Sequence, residues 1–233
     1  MSPEGLTHEQ PVSAVRTEEE RKELIDRLGS IIRIVSGRMD TEIITEIPQE
    51  HIPGLLAKGT DLKTVWFATC EHDPHTNKRT KEIVRIPPEI PETEIVAKGK
   101  AAHEAVHIRV TRYHEFIPGE VMQKLGFSAL MAAAEERPTD QGVRKYFPPA
   151  TEWIDEARKD SAGEVDENTG QNFQAQSLYS QLCSLIVYEP HFTPEHKKLM
   201  APEVLDAYDR IKEAIEKMEH TLPRENADRK SVV

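Results

Sequence analysis

The stretch AAHEAVHIRV (residues 101–110) sets two histidines four positions apart, with a glutamate directly after the first. On a helix, residues i and i+4 share a face about one turn apart, so His103 and His107 can aim imidazole nitrogens at a common point. Glu104 is rotated by about 100° from His103, which frees it from ligation and lets it face a reacting water. Two nitrogen ligands and one proton acceptor from five residues suit metal-assisted hydrolysis. Zinc accepts imidazole nitrogens, lowers the pKa of a water to about 7 and polarises a carbonyl. The carboxylate takes the proton and returns it to the leaving group. The competing reading is a pair of surface or core histidines on an ordinary helix. Ala101, Ala102, Ala105, Val106 and Val110 favour a buried helix, since a salt-bridged surface helix would carry charges there.

Catalytic zinc takes three protein ligands and keeps one position open. The segment SALMAAAEERPTDQ (128–141) offers Glu135 and Glu136. Ala132, Ala133 and Ala134 would let that helix approach the first one closely. Two carboxylates after an apolar turn cost desolvation energy unless a cation compensates them.

HEAVH followed by a separate glutamate-bearing helix resembles the zincin metallopeptidases, in their glutamate-ligand branch, the gluzincins. GFSALMAAAEERP (126–138) is similar to segments of pattern G-F-S-x-x-x-N-A-I-E-D-P-R in large uncharacterised bacterial proteins that also carry HExxH. That register implies Glu135 as the third ligand. The chain departs from it with Ala132 in place of the asparagine and with Arg137-Pro138 in inverted order. The common gluzincin pattern E-x-x-x-D implies Glu136 instead, supported by Asp140, but Pro138 between them argues against a regular helical turn. Glu135 is the preferred reading, and Glu136 stays open.

The resemblance covers about residues 100–140. It implies an α+β, zincin-like fold, in which a small, mostly antiparallel sheet packs on the active-site helix and a helical C-terminal portion follows. It also implies Zn²⁺ as cofactor, a peptide or protein substrate, and Glu104 as general base and acid. In this family the strand before the active helix often forms a sheet edge along which an extended peptide lies. KTVWFATC (63–70) is the first candidate for that edge and KEIVRI (81–86) the second.

Other residues fit the same chemistry less well. Cys70, His72 and His75 in CEHDPH have ligand-like spacing, although such a loop is ordinarily a polar turn. His114 and Tyr146 could donate to a tetrahedral intermediate as oxyanion stabilisers do. Met122, Leu125, Phe127, Leu130 and Met131 read as core.

The elements needed to position these groups are legible in outline. Leu24, Ile25, Leu28, Ile31, Ile32 and Val35 recur at helical spacing, with Thr17 and Glu20 forming a capping-box signature, although Ile31–Val35 could also be a strand. TEIITEI (41–47), KTVWFATC and KEIVRI are β-branched strand candidates, the last two forming a hairpin with a long loop. PPEIPET (87–93) is a connector. Helices are expected over 98–112, from about 120 with a break near Gly126, and from Ser128 as N-cap to Pro138. A further turn or two follows at 152–158, and two more helices at 173–188 and 202–220. The organisation expected is a tail (1–16), a zincin-like core (17–158), a polar linker and a helical portion (171–227).

With 233 residues and 37% hydrophobic content, a lean but real core is available. The net charge of −11 and the lack of a basic cluster argue against nucleic acid. The N-terminus has no signal-peptide pattern, and no apolar run approaches the roughly 18 residues of a membrane span. Two cysteines make no disulfide framework, so a cytoplasmic setting is expected. The last six residues, DRKSVV (228–233), can be back-translated as GAT CGG AAG AGC GTC GTG followed by TAG, a sequencing-library adapter read in frame. They are expected to be an artefact, with the natural chain continuing into further domains of its own.

Overall fold

The computed structural model describes residues 16–57, 61–73, 75, 79–111, 117, 119–163 and 173–220. The N-terminal tail up to residue 15, most of the polar linker, His114 and residues 228–233 lie outside the described residues. α1 (Glu18–Ser36) begins on its capping box: the Thr17 hydroxyl accepts from the Glu20 amide, and the Glu20 carboxylate accepts from the Thr17 amide at 2.7 Å. It ends on Gly37, whose φ of 69° is the left-handed conformation glycine adopts without penalty. Leu24, Leu28, Ile32 and Val35 form its buried stripe, so Ile31–Val35 is helix and not strand.

The three expected strands exist: β1 (Glu42–Ile44), β2 (Phe67–His72) and β3 (Arg79–Arg85). A short α2 (Ile52–Ala57) lies between the first two. Their order is β1-β3-β2, with β1 parallel and β2 antiparallel to β3, so the sheet is mixed where a mostly antiparallel one was expected. Among the described residues β2 is therefore an edge strand. Arg85 is buried at the centre and donates to the carbonyls of Thr45 at 3.1 Å, Leu62 at 2.9 Å and Val65, tying the chain before β2 to the strand on the far side.

α3 (Glu94–Val110) starts four residues before the expected Lys98. Val96, Ala97, Ala101, Ala102, Ala105, Val106, Ile108 and Val110 are all buried, which places nearly every face of this helix inside protein. After α4 (Gly119–Met122) comes α5 (Phe127–Tyr146). Two expectations fail here. Gly126, at φ 77°, caps α5 in place of Ser128, and the helix runs straight through Pro138. Proline removes one amide donor and crowds the carbonyl four residues back. Contacts on both sides of Pro138 offset this: Arg137 pairs with Glu219 and donates to the Tyr208 hydroxyl, and Asp140 pairs with Arg158. The Thr139 hydroxyl also donates to the Glu135 carbonyl at 2.8 Å. Leu125, expected in the core, is fully exposed.

α6 (Thr151–Ala162) is longer than the expected turn or two. α7 (Leu178–Tyr188), α8 (Pro194–Lys198) and α9 (Pro202–His220) complete the chain. One hydrophobic cluster joins α1, β3, α3 and α6; a second joins Phe173, α7, Phe192 and α9. α5 belongs to both, placing Val143 in the first and Ala133 and Ala134 in the second. No helix among the described residues is long and apolar enough to cross a membrane.

Two glycines set how closely α3 is approached. A Cβ on Gly99 would lie 2.1 Å from the Trp153 carbonyl oxygen of α6, and one on Gly142 of α5 would lie 2.5 Å from Val106 Cγ1. Helix propensity favours alanine over glycine by about 1 kcal/mol, but the overlap with backbone at Gly99 forces the helices apart. Gly99→Ala is expected to lower stability by a net of about 2 kcal/mol, read as a lower denaturant midpoint. Gly54→Ala, at a position open to solvent, should leave the midpoint unchanged or raise it.

Candidate metal centre

α3, α5 and α6 meet around His103, and the side chains there converge on one point. His103 Nε2 and His107 Nε2 are 2.9 Å apart. Glu136 Oε2 is 3.1 Å from the first nitrogen, and Glu136 Oε1 is 3.6 Å from the second. Bonds of about 2.0–2.1 Å in a tetrahedral arrangement put neighbouring ligand atoms about 3.3 Å apart, so these separations match a shared cation. Among the described residues, His103, His107 and Glu136 form the group whose ligand atoms all lie within 4.8 Å of one another. Two imidazoles and one carboxylate are a donor set that zinc accepts, and the residues fit the group.

The far nitrogen of each ring is held. His103 Nδ1 is 2.8 Å from Asp140 Oδ1, and His107 Nδ1 is 2.9 Å from the Thr111 hydroxyl. Supports of this kind fix ring orientation and leave Nε2 facing inward. Because α5 is continuous through Pro138, Glu136 and Asp140 stand one turn apart on the same face. One meets the inward nitrogens and the other the outer nitrogen of His103.

Glu135, preferred from the sequence register, is placed differently. Its Oε2 is 3.9 Å from His107 Nδ1, the nitrogen turned away from the converging point, and it lines a cleft. The structure brings Glu136, not Glu135, to the Nε2 pair, because the unbroken helix directs Glu135 about 100° away.

The electrostatics separate the two acids further. Burial pushes the Glu135 carboxyl up, and the nearby His107 offsets it only in part. Burial also works against a charge on Glu136, but His103 and Arg158 beside it hold its carboxyl well below the usual range. On His103, burial opposes the imidazolium, yet Glu136 and Asp140 outweigh both burial and Arg158, and the ring is pushed up to about 10. The pocket draws positive charge.

Glu104 lines both of the clefts that flank the histidines, one of about 430 Å³ and one of about 280 Å³. The larger is walled by Trp66 to Cys70 along edge strand β2, with Arg79 and Thr111; the smaller by Thr64, Lys100, Arg158, Ser161 and Tyr188. Tyr146, considered above as an oxyanion donor, instead packs against the first cluster, with the Arg109 guanidinium over its ring at 4.1 Å. Cys70 lines the larger cleft and His75 is exposed, while the His72 side chain lies outside what is described.

Sequence reasoning missed Arg158. It is buried, donates from Nε to Asp140 Oδ2 at 2.6 Å, and from Nη2 to Asp140 Oδ1 at 2.9 Å and Glu136 Oε2 at 2.8 Å. A signal was available: Ile154, Ala157, Arg158 and Ala162 recur at helical spacing, which sets an arginine on the apolar stripe of α6.

If Glu136 is the third ligand, Glu136→Gln is expected to weaken zinc binding by on the order of a hundredfold or more, against a few-fold at most for Glu135→Gln. A competition titration with a chromogenic chelator measures both. A larger loss in the Glu135 variant would move the ligand to Glu135.

No protein-family model, curated protein or solved structure matches the chain, so what this site does is read from its own atoms.

Proposed function

We propose that the chain is a zinc-dependent peptidase of the zincin type, hydrolysing a peptide bond with Glu104 as general base and acid. The observation that carries this reading is the convergence of His103 Nε2, His107 Nε2 and the Glu136 carboxylate beside Glu104 at the junction of two clefts. A zinc ion bound by His103, His107 and Glu136 would acidify a water and polarise the scissile carbonyl. Glu104 accepts a proton from the attacking water as the carbon–oxygen bond forms. It then delivers that proton to the amine nitrogen as the carbon–nitrogen bond breaks. Asp140 and Thr111 fix the orientation of the His103 and His107 rings, so the two nitrogen ligands keep a common aim.

A peptide is the substrate class that the cleft favours. Among the described residues β2 is an edge strand, its Phe67–Cys70 stretch and the preceding Trp66 wall the larger cleft, and an unpaired strand edge recognises extended backbone by adding a strand. KTVWFATC therefore remains the candidate docking edge; KEIVRI, as β3, is flanked on both sides by strands of this sheet.

A second reading, a non-catalytic interaction module, draws on Arg158. A guanidinium bonded to both Glu136 and Asp140 can satisfy those acids without a metal. The two readings separate on one variant. Glu104→Gln is expected to keep a near-stoichiometric zinc content while turnover of unstructured peptides falls by about 10²–10⁴. Metal analysis alongside a quenched-fluorescence peptide assay measures it. Unchanged turnover would rule out Glu104 as the base, and a wild-type chain that takes up no zinc would favour the module.

A further inference from the structure

We infer that Arg158 is a positioning residue of the metal site, reserving one oxygen of Glu136 so that only the other is left to a cation; this rests on the metal-site reading above. Glu136 Oε2 stands 3.1 Å from His103 Nε2 but already accepts from Arg158 Nη2 at 2.8 Å, while Oε1 stands 3.6 Å from His107 Nε2. The same guanidinium grips both oxygens of Asp140, from Nε at 2.6 Å and from Nη2 at 2.9 Å. Asp140 in turn holds His103 Nδ1. One planar fork thus joins the acid that faces the inward nitrogens to the acid that orients the first ring. A carboxylate can offer a metal one oxygen or two. A charge-assisted bond at Oε2 raises the cost of the two-oxygen mode, and one-oxygen binding keeps the protein donors at three, the number that leaves room for a reacting water. Lysine carries the same charge but as a point, without the fork geometry.

The opposite role is physically available. Arg158 Nη2 is also 3.5 Å from His103 Nε2, so the guanidinium could instead occupy the site as a resident counter-cation and compete with a metal. The two roles predict opposite signs when the arginine is removed.

The full chain carrying Arg158→Gln or Arg158→Lys is compared with wild type by zinc competition titration, by the visible spectrum of the cobalt-substituted protein, and by circular dichroism for folding. Positioning predicts that Arg158→Gln weakens zinc by about 10- to 100-fold. It also predicts that the cobalt bands lose intensity as the coordination number rises. Arg158→Lys keeps the buried charge, and is expected to weaken zinc by about tenfold with the same spectral change. Either variant binding zinc as tightly as wild type, or more tightly, overturns the inference. So does weaker binding with an unchanged cobalt spectrum, which is an effect of charge alone. If Arg158→Gln does not fold, Arg158→Lys decides. A wild-type chain that binds neither zinc nor cobalt sinks the peptidase reading, an outcome distinct from a failure confined to Arg158.

Discussion

Glu136 and Asp140 lie one turn apart on the face of α5 that meets α3, and two carboxylates cannot be placed there without positive charge beside them. The chain supplies it from two directions. Arg158 arrives from α6 and bonds to both acids, while His103 arrives from α3 and touches both. With Arg158 alone the two carboxylates are one positive charge short, and a protonated His103 makes up the difference. Both acids are held below the usual carboxylate range despite burial, and the His103 ring is pushed up to about 10 although Arg158 repels its charge. A cluster that draws a proton onto a buried imidazole still lacks positive charge after its arginine is counted. A divalent cation is one way to supply that charge, and the inward nitrogens of His103 and His107 are where it would be received.

That arrangement requires three helices to approach within reach of short side chains. Aspartate and glutamate extend only a few ångströms, so α5 and α6 must come closer to α3 than bulky residues allow. Gly99 and Gly142 permit it at the two contact points, and Ala101, Ala102 and Ala105 keep the rest of α3 narrow. The same economy explains the weak amphipathic pattern of α3: it is enclosed by α1, α5, α6 and β2 and has no wide face to give to water. Charged groups persist on it where they have partners, as His103 does with Asp140, or where a cleft opens, as beside Glu104.

Much of this could be read from residue spacing. The capping box of α1, the hairpin of β2 and β3, the bounds of α9 and the shared face of His103 and His107 all follow from local pattern. What escaped was set by contacts distant in sequence. Pro138 signals a helix end locally, but Arg137 is anchored to Glu219 and Tyr208 on α9, and Asp140 to Arg158 on α6. These anchors carry the helix through. Once it is continuous, Glu136 and not Glu135 turns to the histidines, so one misread proline shifts the candidate ligand by one residue. Arg158 was overlooked for a related reason. Its spacing marked it as buried, but the partners that make such burial tolerable are 22 and 18 positions away.

The position of the site between two hydrophobic clusters bears on what it can do. His103 and His107 belong to α3 in the first cluster, whereas Ala133 and Ala134, one turn or less before Glu136, pack with Phe173 and α7 in the second. Tyr188, at the end of α7, reaches back to the smaller cleft beside Arg158. α5 therefore joins the packing of the second cluster to the helix that carries Glu136. Arg158 and Asp140 lock α5 to α6 at the same level. A closed zinc site whose ligands form the fold would make the metal the clamp. Here the clamp is an ion pair that the chain carries itself. His103, His107 and Glu104 in turn line the two clefts.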